Sequence, residues 1–356
     1  MRLRLVPKET SFNFFSRWKI WFGISAFLMV LAFGSYMLQG LNFGIDFRGG
    51  TTIRTESTEP LDVGTYRDAL QALELGDVSI SEVFDPTFGP DENVAQISIQ
   101  AQEGQESVTP ETIAAVADAL SAVDPGLKLP FPSVESVGPT VSGELIQTAV
   151  IAVLLAIGAV LIYIWLRFEW QFALGAVAAL VHDVILTIGI FSELQIRFDL
   201  AIIAALLTIV GYSLNDTVVV FDRVRENLRK YKKRPLQEVL NLSINETLSR
   251  TVMTSVTTLL ALFSLFVLGG DVIRGFVFAM IWGVIVGTYS SIFVASAILL
   301  YLGVKRDWSK STASAGTQFG AADGGTNFDV PSRFRSDAGS AKSKKGEGSG
   351  DAEEGS

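Results

Sequence analysis

The sequence has no cysteine, which excludes disulfide bonds and thiolate metal sites throughout the chain. It has one histidine, His182, so a multi-histidine metal centre is excluded as well, and neither a metal nor another cofactor is expected. Basic residues are scarce over 39–140, where Arg48, Arg54, Arg67 and Lys128 stand among many acidic residues. A segment so poor in positive charge is tolerated on the translocated side of a membrane. It also lacks histidine and any serine in a recognisable nucleophile context, so it reads as a module for binding or for transmitting force rather than for catalysis. What the chain does have is apolar residues, 49% of 356, gathered into runs that approach or exceed the length needed to cross a bilayer. That composition describes a polytopic membrane protein rather than a soluble globule.

Six runs qualify: 20–38, 145–166, 172–191, 200–221, 246–268 and 276–300. The first follows Arg2, Arg4, Lys8, Arg17 and Lys19 and is flanked by Trp18 and Trp21, which suit a membrane boundary. A cleavable signal peptide is the competing reading, but the apolar run is too long and no A-x-A site follows it, so an uncleaved span is expected. The stretch 223–234 carries seven basic residues, and Lys305 and Arg306 follow the last run. By the positive-inside rule both termini and this long loop are expected to face the cytoplasm, with 39–140 outside. A basic run also suits nucleic acid, but between two spans it is more simply an orientation signal and a contact for anionic membrane lipid; no nucleic-acid partner is expected. The expected organisation is a cytoplasmic N-terminus and first span (1–38), an external α+β domain (39–140), a five-helix membrane domain (141–304) and a Gly/Ser-rich tail (305–356) that cannot bury a core and is expected to be disordered.

Within 39–140 the pattern predicts strands at 51–56, 78–84, 94–100 and 131–137 and helices at 62–73 and 109–122. That order is βαββαβ, a ferredoxin-like sandwich, with Pro110 in the first turn of its second helix. Ahead of it stands FGIDFRGGT, where Gly44, Gly49 and Gly50 permit turns and Asp46 and Arg48 can pair at the membrane surface.

Candidate functional residues lie inside the spans. GYSLNDTVVVFDRVREN (211–227) places Asn215, Asp216 and Thr217 within an apolar run of about 22 residues, roughly 33 Å of helix. A carboxylate at the centre of a spanning helix costs roughly 2.5–3.5 kcal/mol, so it faces a partner, water or a pathway. The bland alternative is an Asp that is protonated or locked to a neighbour for packing. The next run carries Thr247, Arg250, Thr251, Thr254, Ser255 and Thr258 at helical spacing, and antiparallel threading puts Arg250 at the depth of Asp216. The two can pair, with Arg250 as a fixed charge beside an acid that titrates. For most of the hydroxyls close packing between helices is the simpler reading. His182 and Asp183 sit near the middle of the third span and suit either a proton path or bonds to adjacent helices. With Ser213 they also supply the inventory of a hydrolase, but no motif places a nucleophile against its base.

FGIDFRGG, VGPTVSGEL (137–145), VHDVILTIGIF, GYSLNDTVVVFDRVREN and the LSRT of 248–251 occur in this order, and together they resemble the SecD/SecF family of bacterial protein-export membrane subunits, within the resistance-nodulation-division superfamily. The resemblance covers about residues 10–305. It implies a non-enzymatic subunit of the inner membrane that pairs with the six-span SecD and assists the SecYEG channel and the SecA motor. It further implies that the proton-motive force draws preproteins outward after the ATP-driven stage. The family's coupling acid falls on Asp216 and its arginine on Arg250; no role falls on Asp183. Arg48 departs from the smaller polar residue often found there. An intramembrane carboxylate serves H⁺ or Na⁺ equally, so the coupling ion stays open.

Overall fold

The computed structural model describes residues 10–83, 88–89, 92–100 and 108–304. The first nine residues and the tail 305–356, for which composition predicts disorder, lie outside the described residues. So does Phe84, the expected last residue of the second strand.

Four strands, β1 (Gly50–Ser57), β2 (Val78–Val83), β3 (Asn93–Gln100) and β4 (Ser133–Val137), form one antiparallel sheet in the order β2-β3-β1-β4. Ile53 stands opposite Ile97, and Ile97 opposite Ile80, so one apolar row crosses three strands. This row lies in a core with Tyr66 and Leu70 of helix α3 (Val63–Gln71) and with Val116 and Leu120 of α4 (Pro110–Val123). Each helix begins at a side-chain cap. Asp62 accepts from the Gly64 amide at 2.9 Å and Thr109 from the Thr112 amide at 3.3 Å, with Pro110 following where its missing N–H is not needed. The expected ferredoxin-like order is therefore present. The sheet's other face is polar, and Arg197 reaches it, donating to Ser98 at 2.6 Å.

Six helices are long and apolar enough to span a membrane. They are α1 (Trp18–Gln39), α5 (Pro139–Arg167), α6 (Trp170–Leu194), α7 (Leu200–Lys230), α8 (Leu236–Leu268) and the last span, Asp271–Leu302. This last span consists of α9 (Asp271–Ser290), a π-helical turn (Ser291–Ala295) and α10 (Ser296–Leu302). A short α2 (Ile45–Arg48) precedes the sheet. The spans α6 and α9–α10 are largely enclosed, while α1, α5 and α8 expose most of their surface, which leaves those three to face lipid or another subunit.

Two expectations are corrected. The basic stretch 223–234 is not a loop: α7 runs on through Lys230 and α8 starts at Leu236, leaving a short connection at Tyr231–Pro235. Arg, Glu and Lys are good helix formers, and Arg223 binds Glu226 and Glu246, so charge ends the apolar run without ending the helix. Nor do Asp46 and Arg48 pair. Asp46 instead accepts from the Leu200 amide at 2.9 Å, sharing the start of α7 with Asp199, which accepts from Ile202 at 3.2 Å. Backbone bonds between Gly44 and Phe198 (2.8 Å) and between Phe198 and Asn42 (2.8 Å) tie the same segment to the α6–α7 connection.

The chain ahead of α1 is held by α8. Asn245 accepts from the Phe12 amide (2.9 Å) and donates to the Phe12 carbonyl (2.8 Å), and Asn241 accepts from the amides of Phe14 (2.9 Å) and Phe15 (3.3 Å). These side chains serve a strap whose backbone has no secondary-structure partner of its own.

Candidate functional site

The site is built where α7 crosses α6, α8 and α9. On α9, Gly283 and Gly287 lie one turn apart in a G-x-x-x-G pattern. A Cβ at 283 would come within 2.3 Å of Ile209, and one at 287 within 3.0 Å of Ser213. Only glycine at these positions lets the two backbones approach so closely. The close approach brings Ser213 and Ser290 to the carboxylate of Asp183.

Asp183 is buried and both its oxygens are bonded. Oδ1 lies 3.0 Å from His182 Nδ1, while Oδ2 accepts from Ser213 of α7 at 2.6 Å and from Ser290 of α9 at 2.8 Å. Adjacent side chains on a helix do here share one environment. The other ring nitrogen, His182 Nε2, is buried and has no hydrogen-bond partner among the described residues. The ring stacks on Tyr289 at 6.2 Å, and Tyr289 in turn donates to the Trp21 carbonyl at 3.0 Å and shares a 2.9 Å bond with Ser25 of α1. A nucleophile–base arrangement is not assembled: both serine hydroxyls meet the carboxylate, and neither is bonded to the imidazole.

Asp216 lies one turn beyond Ser213 on α7. It is 3% exposed, and its Oδ2 has no partner among the described residues. Arg250 is near enough to act on it through space, yet neither residue is in an ion pair among the described residues. Arg250 is exposed on α8, one of the three spans with an open surface. Thr217 is buried beside Asp216, whereas Asn215 is exposed, so the three polar neighbours of the motif do not share one face.

The hydroxyl stripe of α8 is mostly absorbed locally. Thr247 donates to the Ser243 carbonyl (3.0 Å) and Thr254 to the Thr251 carbonyl (2.9 Å), while Ser255 shares a 2.7 Å bond with Thr288 of α9. Thr251 is buried, and its hydroxyl has no partner among the described residues.

Of the glycines in FGIDFRGG, Gly49 and Gly50 have backbone angles that favour glycine; the φ of Gly49 is +73°, and a Cβ there would lie 3.1 Å from Pro139 Cα. Gly50 follows at φ +139°, and Gly44 bonds Phe198 as described. This turn lets β1 leave α2 against the start of α5. Nearby, outside the spans, burial pushes the carboxyl of Asp199 above the usual carboxylate range, with Asp46 adding to the effect.

The sequence reading had no place for Ser290, for the paired glycines of α9 or for the π-helical turn. A search for small-xxx-small patterns in each span would have found the glycines.

Residues 115–305 match the family described as "Protein export membrane protein SecD/SecF, C-terminal", and residues 38–60 match the "SecD/SecF GG Motif". A protein translocase subunit SecF of Cereibacter sphaeroides is 60% identical over 322 residues, covering 90% of this chain and 99% of that protein. The SecF of Rickettsia rickettsii is 42% identical over 308 residues, covering 86% and 97%. The crystal structure of SecDF from Thermus, a translocon-associated membrane protein, superposes with a TM-score of 0.73 at 37% identity. It covers 85% of this chain, which spans 40% of the SecDF chain. A second SecDF structure, in a super-membrane-facing form, gives a TM-score of 0.62.

Proposed function

We propose a function from the premise that the chain belongs to the SecD/SecF family of protein-export membrane proteins: it is the SecF subunit of the Sec translocase, and it couples an ion gradient to late-stage export. The relatives' names support a non-enzymatic translocase subunit, and the SecDF structures support SecD as the partner. We further assign it to the bacterial inner membrane with both termini cytoplasmic, working beside SecYEG and SecA on unfolded preproteins, with its basic end in contact with membrane lipid.

The observation that carries the coupling assignment is the contrast between two buried carboxylates. Asp183 has every oxygen bonded, so a proton arriving there would displace existing hydrogen bonds; its role is to hold α6, α7 and α9 together. Asp216 has an oxygen without a partner and a guanidinium within electrostatic reach. Such a group gains or loses a proton without dismantling the packing around it. Protonating Asp216 removes its attraction to Arg250 and frees α7 and α8 to shift. The bond of Asp46 to the Leu200 amide at the start of α7, those of Phe198 to Gly44 and Asn42, and that of Arg197 to Ser98 carry such a shift to the α+β domain. Thr217 and Thr254 line the same helices as packing residues or as parts of the path.

The test is export of a preprotein into sealed vesicles containing SecD and the channel, with Asp216→Asn compared with the unaltered chain and a proton or sodium gradient imposed or collapsed. The variant is expected to assemble and to lose only the gradient-stimulated part of export, and the effective gradient identifies the ion. Export that still responds fully to the gradient would overturn the assignment and favour a scaffold.

A further inference from the structure

We propose that the cleft between the basic ends of α5 and α7 binds the phosphate-bearing headgroup of an anionic phospholipid. The cleft has a volume of about 610 Å³ and is lined by Arg167, Asp222, Arg225, Glu226, Arg229 and Lys230. Four cations from two helices thus converge with two acids, and both acids are already engaged. Asp222 lies 3.4 Å from Arg167, and Glu226 is bound at 2.5 Å by Arg223, which is not part of the cleft. Arg229 and Lys230 are exposed, and neither is in an ion pair among the described residues. An excess of positive charge is left facing the opening.

The cations nearest the helix junction are held in place. Phe168 is buried beneath them, with the Arg167 guanidinium 5.1 Å and that of Arg225 6.0 Å from its ring centre. Arg225 also donates to the Arg167 carbonyl at 3.4 Å. Guanidinium groups fixed in this way match the oxygens of a phosphodiester. The side chains around the cleft favour a lipid as the source of that phosphate. Trp165 and Trp170 flank Arg167 and are 63% and 53% exposed, as indoles at the headgroup level of a membrane are. The exposed Leu161, Ile162 and Leu166 of α5 continue from the cleft along the apolar span, where acyl chains would lie and a free phosphate would find nothing. Basic pockets between spans at this interface hold anionic headgroups. The proposal borrows from the functional reading only the placement of this end against an anionic leaflet, and it is independent of ion coupling at Asp216.

The full chain, delipidated in detergent, is titrated by native mass spectrometry with dioleoyl phosphatidylglycerol, dioleoyl phosphatidylcholine or inorganic phosphate. Phosphatidylglycerol is expected to bind in preference to phosphatidylcholine. Arg229→Gln and Lys230→Gln each remove an exposed cation, that of Lys230 lying 5.2 Å from the Tyr231 ring centre, and each should weaken phosphatidylglycerol binding roughly fivefold. Lys233→Gln, outside the cleft, should leave it within about twofold. The proposal is overturned by equal affinity for the two lipids, by unchanged binding in the Arg229 and Lys230 variants, or by an equal loss at Lys233, which would mark bulk charge. Displacement of the lipid by inorganic phosphate at equal concentration would also overturn it, as a site for soluble anions. Gradient-driven export is read separately, so failure here leaves the coupling assignment untouched.

Discussion

Ser213 of α7 donates to Asp183 of α6 at 2.6 Å while lying directly against Gly287 of α9, so one small side chain joins three spanning helices. Removing one partner of a buried hydrogen bond costs about 1–3 kcal/mol. Ser213→Ala should therefore lower stability by about that amount. The check is the thermal unfolding midpoint in detergent, and an unchanged midpoint would mean the carboxylate finds another donor.

The paired glycines of α9 make a second prediction. Gly283→Ala would drive a methyl group into the Ile209 side chain, and Gly287→Ala would press on Ser213. Overpacking of this kind costs about 1–3 kcal/mol. Either substitution should lower the midpoint, and crosslinks between cysteines introduced on α7 and α9 should form more slowly as the helices separate.

The raised carboxyl of Asp199 fixes the sign of a pH effect. Because the folded chain holds that proton more tightly than the unfolded one, the contribution is fully present below the ordinary carboxylate value near 4 and is lost as pH rises through the folded value. Relative to Asp199→Asn, which does not titrate, the native chain should gain stability as pH is lowered from 7 to 4. A difference in midpoint that stays flat with pH would contradict this.

In the α+β domain the buried Asp124 accepts from Tyr66 and from Ser57, the latter at 2.9 Å. Burial, with Asp124 beside it, pushes the Tyr66 phenol above its ordinary value, so it stays a donor across the physiological range. Tyr66→Phe removes a charge-assisted bond and should cost about 1.5–3 kcal/mol. Faster amide exchange across β1 and α3, with the spanning helices unaffected, is the expected signature.

The α+β domain was legible in the sequence almost to the residue, because alternation in strands, Pro110 in the first turn of a helix and Gly and Pro in the loops are local signals that the tertiary structure reinforces. The spans were legible in their apolar cores but not at their ends. At 222–230 and 236–245 charged and polar residues continue the helix, and hydropathy does not distinguish a charged helix from a charged loop. Asp216 was visible because a carboxylate stands out in an apolar run. The bonds of Asp183 were not: they depend on which of many small residues a neighbouring helix presents, and that is set by Gly283 and Gly287 through packing across the bundle. Asp46 shows the same limit, since its partner, the Leu200 amide, lies 154 residues away.

The strap ahead of α1 is held by two asparagines more than 220 residues downstream. Synthesis from the N-terminus thus makes the strap long before its seat exists. The first helix must enter the membrane with its leading residues unsecured, and they become fastened only when the fifth span has been made and brought alongside. Residues 10–15 are therefore among the last parts to settle. Nascent chains stalled before Asn241 should leave residues 10–15 open to protease, and chains released after the full bundle is made should protect them.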